Sequence, residues 1–236
     1  MSKKINKGFT LAEVLITLGI IGVVAALTAP ALIQNAGNAK IGPTLQKVKS
    51  TIENANEQIL YENEASNLYA VADNTSGYME LLSEYISGSS YNSTSVSTSA
   101  GFDIPYKTYN GSTWSSFMVK VFSFSQSLDL LFLPSDPSYN AIGSFAGGYK
   151  QLLVDINGSD TTPNTFGKDV FWFLIDYNGT VIPYGGKTYM WLLTKGSSTT
   201  PFWNTSGTSA CNESSITYGY YCAGSIFDNG LKVIYQ

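Results

Sequence analysis

The chain has 236 residues, enough for one domain with a real core or two small ones. Charged residues are only 13%, about half the usual share, and the formal net charge of -4 gives no pull toward nucleic acid. There is no histidine and no arginine, which excludes Ser-His-Asp and Cys-His catalysis, His-ligated zinc, and bidentate arginine clamps on phosphate or guanine. Asn, Ser, Thr, Gly and Tyr fill the gap, as expected of a protein that lives outside the cytoplasm or packs against copies of itself.

Lys3, Lys4 and Lys7 precede a long apolar run, and the next basic residue is Lys40. By the positive-inside rule the first residues stay cytoplasmic and the chain beyond the run is exported. The run from Phe9 to Ile33 exceeds the roughly 20 residues a helix needs to cross a bilayer. Ala26-Leu27-Thr28-Ala29 imitates the small-residue cleavage site of a secretory signal. Glu13 does not fit that reading, because an ionised carboxylate in hydrocarbon costs several kcal/mol unless it finds a partner.

Gly8-Phe9-Thr10-Leu11-Ala12-Glu13 resembles the processing site of the type IV pilin superfamily, which includes the type II secretion pseudopilins. Gly22, Ala25, Ala26 and Pro30 also sit where members commonly carry these residues, and the resemblance covers roughly residues 7–33. It implies that a membrane peptidase cuts between Gly8 and Phe9 on the cytoplasmic side and methylates the new Phe9 amine. It implies further that Glu13 of one subunit pairs with the Phe9 amine of its neighbour in a fibre. Both charges are then satisfied only when subunits dock in register, a known use of a buried ionic group. The alternative is an uncleaved signal anchor whose acid snorkels to the headgroups.

Pro30 predicts a helix break, since proline removes a donor and clashes with the preceding turn. Gly37 and the pair Gly42-Pro43 predict further weakening. Beyond them Leu45, Val48, Ile52, Ala55 and Ile59 recur at helical spacing, and Lys47, Lys49, Glu53, Glu57 and Glu62 lie mostly off that stripe. The pattern predicts one half-buried helix laid under a sheet. Tyr78, Leu81, Leu82, Tyr85 and Ile86 predict a second amphipathic helix ending at Gly88. The polar, aperiodic stretch 87–100 reads as a surface loop.

From Phe102 onward the texture turns to β. Residues 117–124 and 151–156 are β-prone runs, and 169–185 reads as a hairpin with a type I′ turn at Asn178-Gly179. Pro183 places the second arm at a sheet edge or strand end. A helix followed by an antiparallel sheet is α+β architecture, which the pilin resemblance also implies. The division expected is a leader at 1–8, an assembly helix at 9–33, its amphipathic continuation at 34–66 and a head at 67–236.

Export of the head predicts that Cys211 and Cys222 are joined, as a single C-terminal disulfide is in many pilins. Two buried thiols are the alternative. Asp155, Asn157, Asp160 and Asp169 form the densest group of oxygen ligands and are candidates for calcium. Their spacing fails the EF-hand template, and a loop capped by its own Asn and Asp side chains is the competing reading. Residues 143–150 lack the adjacent Gly-Lys-Ser/Thr of a phosphate loop. Asn-x-Ser/Thr sequons such as Asn92 and Asn178 follow from composition, and Glu62 and Glu64 read as a solvated pair rather than a catalytic one.

The sequence therefore points to a non-enzymatic subunit of a pilus or pseudopilus, anchored in a bacterial inner membrane before assembly. Its partners would be copies of itself, other pilins, the prepilin peptidase/methyltransferase and the inner-membrane assembly machinery. A surface binding protein held by an uncleaved anchor is the alternative.

Overall fold

The computed structural model describes residues 9–235 except 73, 99, 115–117, 126, 134–148, 194–195, 199 and 213–214. The three leading lysines, Gly8, Phe117 and the glycines of 143–148 lie outside the described residues. The chain divides into two compact units, Met1–Lys40 and Ile41–Gln236.

Helix α1 runs from Leu11 to Glu62, 52 residues. The break expected at Pro30 is absent: the helix continues through Pro30, Gly37, Gly42 and Pro43. Each proline withdraws one backbone donor, from the carbonyls of Ala26 and Ala39 respectively, but neither stops a helix whose neighbouring turns stay bonded.

In the second unit the predicted stripe becomes the core. Ile41, Leu45, Val48, Ile52, Ala55 and Ile59 are all buried, and they share one cluster with the sheet residues Phe122, Phe132, Leu152, Val154, Phe171 and Phe173. Glycine at 42 permits this. A Cβ there would lie 2.0 Å from the backbone oxygen of Leu231, so the C-terminal segment can cross α1 only over a bare backbone.

A short helix α2 (Leu68–Val71), missed in the sequence, and helix α3 (Thr75–Tyr85) come next. Asn67 and Asn74 cap them, accepting from the N–H of Ala70 and Gly77 at 3.1 and 2.9 Å. Helix α3 buries Tyr78, Met79 and Leu82 against α1 and the sheet, and Gly88 beyond it takes φ +80°.

The sheet is antiparallel throughout: β1 (Ser90–Tyr91), β3 (Met118–Ser125), β4 (Leu128–Phe132), β5 (Lys150–Asp155), β6 (Val170–Ile175) and β7 (Val181–Pro183) in that spatial order, with β2 (Val96–Ser97) also on β3. Strand β6 is buried along its whole length. Its alternation sends Phe171, Phe173 and Ile175 to the α1 cluster, and Val170, Trp172 and Leu174 to a second, aromatic cluster with Tyr106, Trp114, Phe166 and Tyr184. Trp172 stacks on Tyr184 with ring centroids 5.1 Å apart and meets Trp114 edge-on at 6.0 Å.

Two expectations need correction here. The stretch 87–100 is not only loop, because β1 and β2 both hydrogen-bond to the outer edge of β3. Polar residues can hold an edge strand, since the ladder uses backbone groups and one flank stays wet. The β6–β7 turn is also not type I′, which needs positive φ at both central residues. Only Gly179 has it, at +88°. Gly179 N–H donates to Asp176 O at 3.0 Å, and Asp176 Oδ1 accepts from Asn178 and Thr180 N–H at 3.0 and 2.8 Å. This side-chain cap on a three-residue turn decides the geometry. Pro183 lies on the edge strand, as expected.

The same turn is pinned to α1. Buried Asn56 donates from Nδ2 to Gly179 O at 2.8 Å and accepts from the Tyr78 hydroxyl at 2.7 Å. Glu53 accepts from Val181 N–H at 3.0 Å and pairs with Lys49.

Gly42→Ala is expected to destabilise the head by about 1–3 kcal/mol, because the new methyl meets backbone that cannot rotate away. Gly37→Ala, with nothing within 4 Å of the added Cβ, should leave the protein equally or more stable. Thermal unfolding of the full-length protein in detergent separates the two. A Gly42→Ala protein that melts with wild type refutes the close crossing.

Candidate functional site

The apolar part of α1, Leu11–Pro30, is long enough to cross a membrane and none of it is buried. Phe9 is 89% exposed and Leu27 75%. An apolar helix that buries nothing in its own chain needs lipid or neighbouring helices as its solvent. Glu13 sits in its first turn.

The carboxylate of Glu13 has local partners. Its Oε2 accepts from the backbone N–H and the hydroxyl of Thr10, both at 2.8 Å, and the Thr10 hydroxyl accepts from Glu13 N–H at 3.3 Å. With Leu11 as the first helical residue, Thr10 is the N-cap and Glu13 the third position, which makes a capping box. Thr10-Leu11-Ala12-Glu13 spells that signature in the sequence. Thr10 is thus a site residue the sequence reading passed over although its signal was present. The box satisfies hydrogen bonds and orders the first turn, yet both partners are neutral. Glu13 has no cationic partner among the described residues.

The oxygen-rich loop of the head is the second candidate. Asp155, at the end of β5, is fully buried and accepts from the Tyr106 hydroxyl at 2.7 Å and from Asn157 N–H at 3.3 Å. Asp169 accepts from Asn164 N–H at 2.7 Å and Thr165 N–H at 2.6 Å. Asn157 donates from Nδ2 to Thr162 O at 3.0 Å, and Asp160 stands aside as an exposed residue. The loop has one further acid that the sequence did not single out, Asp129 of β4. It stands directly opposite Asp155 and accepts from Ser159 N–H at 2.9 Å and Ser159 Oγ at 2.8 Å.

Three carboxylates thus hold one loop by accepting from its N–H groups. Among the described residues, no group of three or more His, Cys, Asp or Glu side chains is placed to hold a metal ion. Of the four residues expected to surround calcium, the structure brings Asp155, Asn157 and Asp169 to the same loop as capping groups and leaves Asp160 aside.

Burial is the main force on Asp155 and lifts its carboxyl to about 7, with the negative charges of Asp169 and Asp129 adding to it. The Tyr106 hydrogen bond opposes the shift. Asp169 is also raised, again by burial, against the pull of its N–H donors.

Cys211 on β8 (Cys211–Asn212) and Cys222, which opens helix α4 (Cys222–Asp228), are joined and buried, with Cα atoms 5.0 Å apart. Closing this short loop contributes roughly 3 kcal/mol in the chain-entropy account. Gly167 lies against it, since a Cβ there would meet Cys222 Sγ at 2.7 Å. Tyr109 and Asn110 N–H donate to Tyr218 and Thr217 O at 3.1 and 3.0 Å, and Lys107 N–H donates to Asn164 O at 2.8 Å, so the segment 107–110 ties the disulfide loop to the acid-capped loop.

Residues 3–29 match the prokaryotic N-terminal methylation motif, the prepilin-type motif of type IV pilins and pseudopilins. No curated protein and no solved structure matches the chain. The motif, the unburied apolar helix and the α+β head with an antiparallel sheet fit a membrane-anchored, pilin-like precursor. The motif points to a structural subunit rather than an enzyme.

The raised carboxyl of Asp155 gives a stability profile with a definite sign. The proton it holds when folded contributes stability that is complete below the unfolded value near 4 and is lost as pH rises through about 7. The head should melt at higher temperature at pH 5 than at pH 8, a difference on the order of 2–3 kcal/mol from this group. Asp155→Asn keeps an acceptor for Tyr106 and should flatten the profile. A wild-type melting temperature that rises between pH 5 and 8 contradicts this.

Proposed function

We propose that this chain is a pilin or pseudopilin subunit, cut after Gly8, methylated on Phe9, and polymerised through the first half of α1 into a type IV pilus-like or type II secretion fibre. The observation that carries this reading is the methylation motif at residues 3–29, set on the part of α1, Leu11–Pro30, of which none is buried. Before assembly the subunit is a single-pass protein of the bacterial inner membrane with its first residues cytoplasmic. After assembly the apolar surface is covered by the helices of other subunits, in a periplasmic pseudopilus or an extracellular pilus.

Glu13 supplies the register. Its capping box uses only neutral donors, which leaves the carboxylate available to accept from the Phe9 amine of a neighbour after cleavage. Neither charge has a counter-ion in an isolated subunit, and each finds one only at a single axial offset between helices. Pro30, where one helical hydrogen bond is missing, is the position at which α1 would give way when a fibre is stretched. The partners are copies of the chain, other pilins, the prepilin peptidase/methyltransferase and the inner-membrane assembly machinery. The acidic balance and absent arginine weigh against nucleic acid.

Protein N-terminal sequencing is the direct test. A mature start at methylated Phe9 is expected, an intact Met1 supports an uncleaved surface anchor instead, and Gly8→Val should accumulate as the longer form. Glu13→Leu should be processed and remain in the membrane yet fail to enter fibres. Breaking one side of a buried pair costs about 3–5 kcal/mol, more than a hundredfold against each addition. Sheared-fibre recovery, set against membrane levels of mature protein, reads this out. Normal incorporation of Glu13→Leu would remove Glu13 from the assembly mechanism.

A further inference from the structure

We propose that the face of α1 left open in the head docks a second copy of this chain, with Lys47 of one copy set against Glu57 of the next. The inference rests on the fibre reading and deepens it by naming a contact between heads and the offset that the contact imposes.

The helix carries a second stripe, opposite its buried one. Positions 47, 50, 54, 57 and 61 recur at spacings of three and four, the seam spacing of one helix laid along another. Lys47, Asn54, Glu57 and Tyr61 are exposed and Ser50 is half-buried, so the head leaves this seam open. Tyr61 is 84% exposed, and a large amphipathic ring is a favoured interface residue.

The order of charges along the seam selects the occupant. It carries one cation, Lys47, toward its start and one anion, Glu57, toward its end. Ten residues put them about 15 Å apart along the helix, too far to pair within one chain. Lys49 and Glu53, four residues apart, pair with each other instead, and neither Lys47 nor Glu57 joins an ion pair among the described residues. The surroundings of Glu57 suit an ammonium group. Asn54, Glu57, Gln58 and Tyr61 line one shallow depression, which offers a carboxylate, two carboxamide oxygens and an aromatic ring.

Copies anchored in one membrane run parallel, which excludes the antiparallel pair. In a parallel pair held level, Lys47 faces Lys47 and Glu57 faces Glu57, and like charges oppose the contact. Advancing one copy by about 15 Å along α1 replaces both repulsions with one attraction. Each copy then offers Lys47 to one neighbour and Glu57 to another, a head-to-tail contact that repeats without closing. An exposed pair contributes little energy and is screened by salt, so its role is to choose the offset rather than to supply the strength.

The test is oxidative cross-linking of the full-length protein in the cells that make it naturally, with the Cys211–Cys222 bridge retained. Cells carrying the Lys47→Cys and Glu57→Cys variants together should yield a cross-linked dimer, whereas either variant alone should stay monomeric. Charge reversal supplies a second measurement. Lys47→Glu and Glu57→Lys should each lower fibre yield several-fold at low salt, and the chain carrying both changes should recover it. A dimer from Lys47→Cys alone, or a double reversal that recovers nothing, overturns the inference. Wild-type fibres without a 47–57 cross-link in the paired variants overturn it and leave the fibre reading standing. Absence of fibres from the wild-type chain overturns both.

Discussion

A single charge placed in an apolar helix sets the terms for this chain. Hydrocarbon tolerates the leucines, isoleucines and valines of Leu11–Pro30 without any help from the protein. It does not tolerate an ionised Glu13. The capping box with Thr10 supplies two donors and fixes the first turn, but neutral donors do not cancel a charge. A helix so built is stable enough to sit in a membrane and still has something to gain from a cationic neighbour.

The head solves a different problem with the same helix. From Ile41 the stripe that the first unit leaves bare is replaced by one that the sheet covers completely. Three contacts lock the arrangement: Asn56 between Tyr78 and Gly179, Glu53 on Val181, and Gly42 beneath Leu231. Each needs a particular residue rather than general apolarity. Asn56 is bonded on both sides, so it can be fully buried without an unmet amide. The second cluster needs no helix of that length, because aromatic residues on loops close over the far face of β6.

Periodicity made much of this legible. The 3.6-residue spacing of Leu45, Val48, Ile52, Ala55 and Ile59 marked both the helix and its buried face, and the Gly-Phe-x-x-x-Glu register marked the N-terminal methylation motif. The Asn178-Gly179 pair marked the hairpin within 169–185, and Pro183 its edge strand. What escaped was decided by long-range partners. The polar residues 90–97 became edge strands because β3 offered its backbone, and nothing in their side chains announces this. Pro30 and Pro43 looked like stops because a proline's local cost is visible in sequence, whereas the surrounding helical bonds that absorb it are not. Asp129 could not be linked to the oxygen-rich loop before β4 and β5 were in register. Thr10 was the one readable omission.

The acid-capped loop shows why a ligand inventory and a ligand site are different things. Carboxylates and amides in the 155–169 stretch have the chemistry for a hard cation, but a loop rich in glycine and proline also has many backbone N–H groups without ladder partners. Those donors lie within hydrogen-bond distance of Asp129, Asp155 and Asp169. Once Asp155 is buried, with Asp169 and Asp129 adding their charge, a proton relieves the cost of enclosing it and requires no coordination geometry at all. The loop can therefore be firm without metal, and its firmness is tied to acidity. The disulfide loop leaning on the same segment from Cys222 holds it in a way pH does not reach.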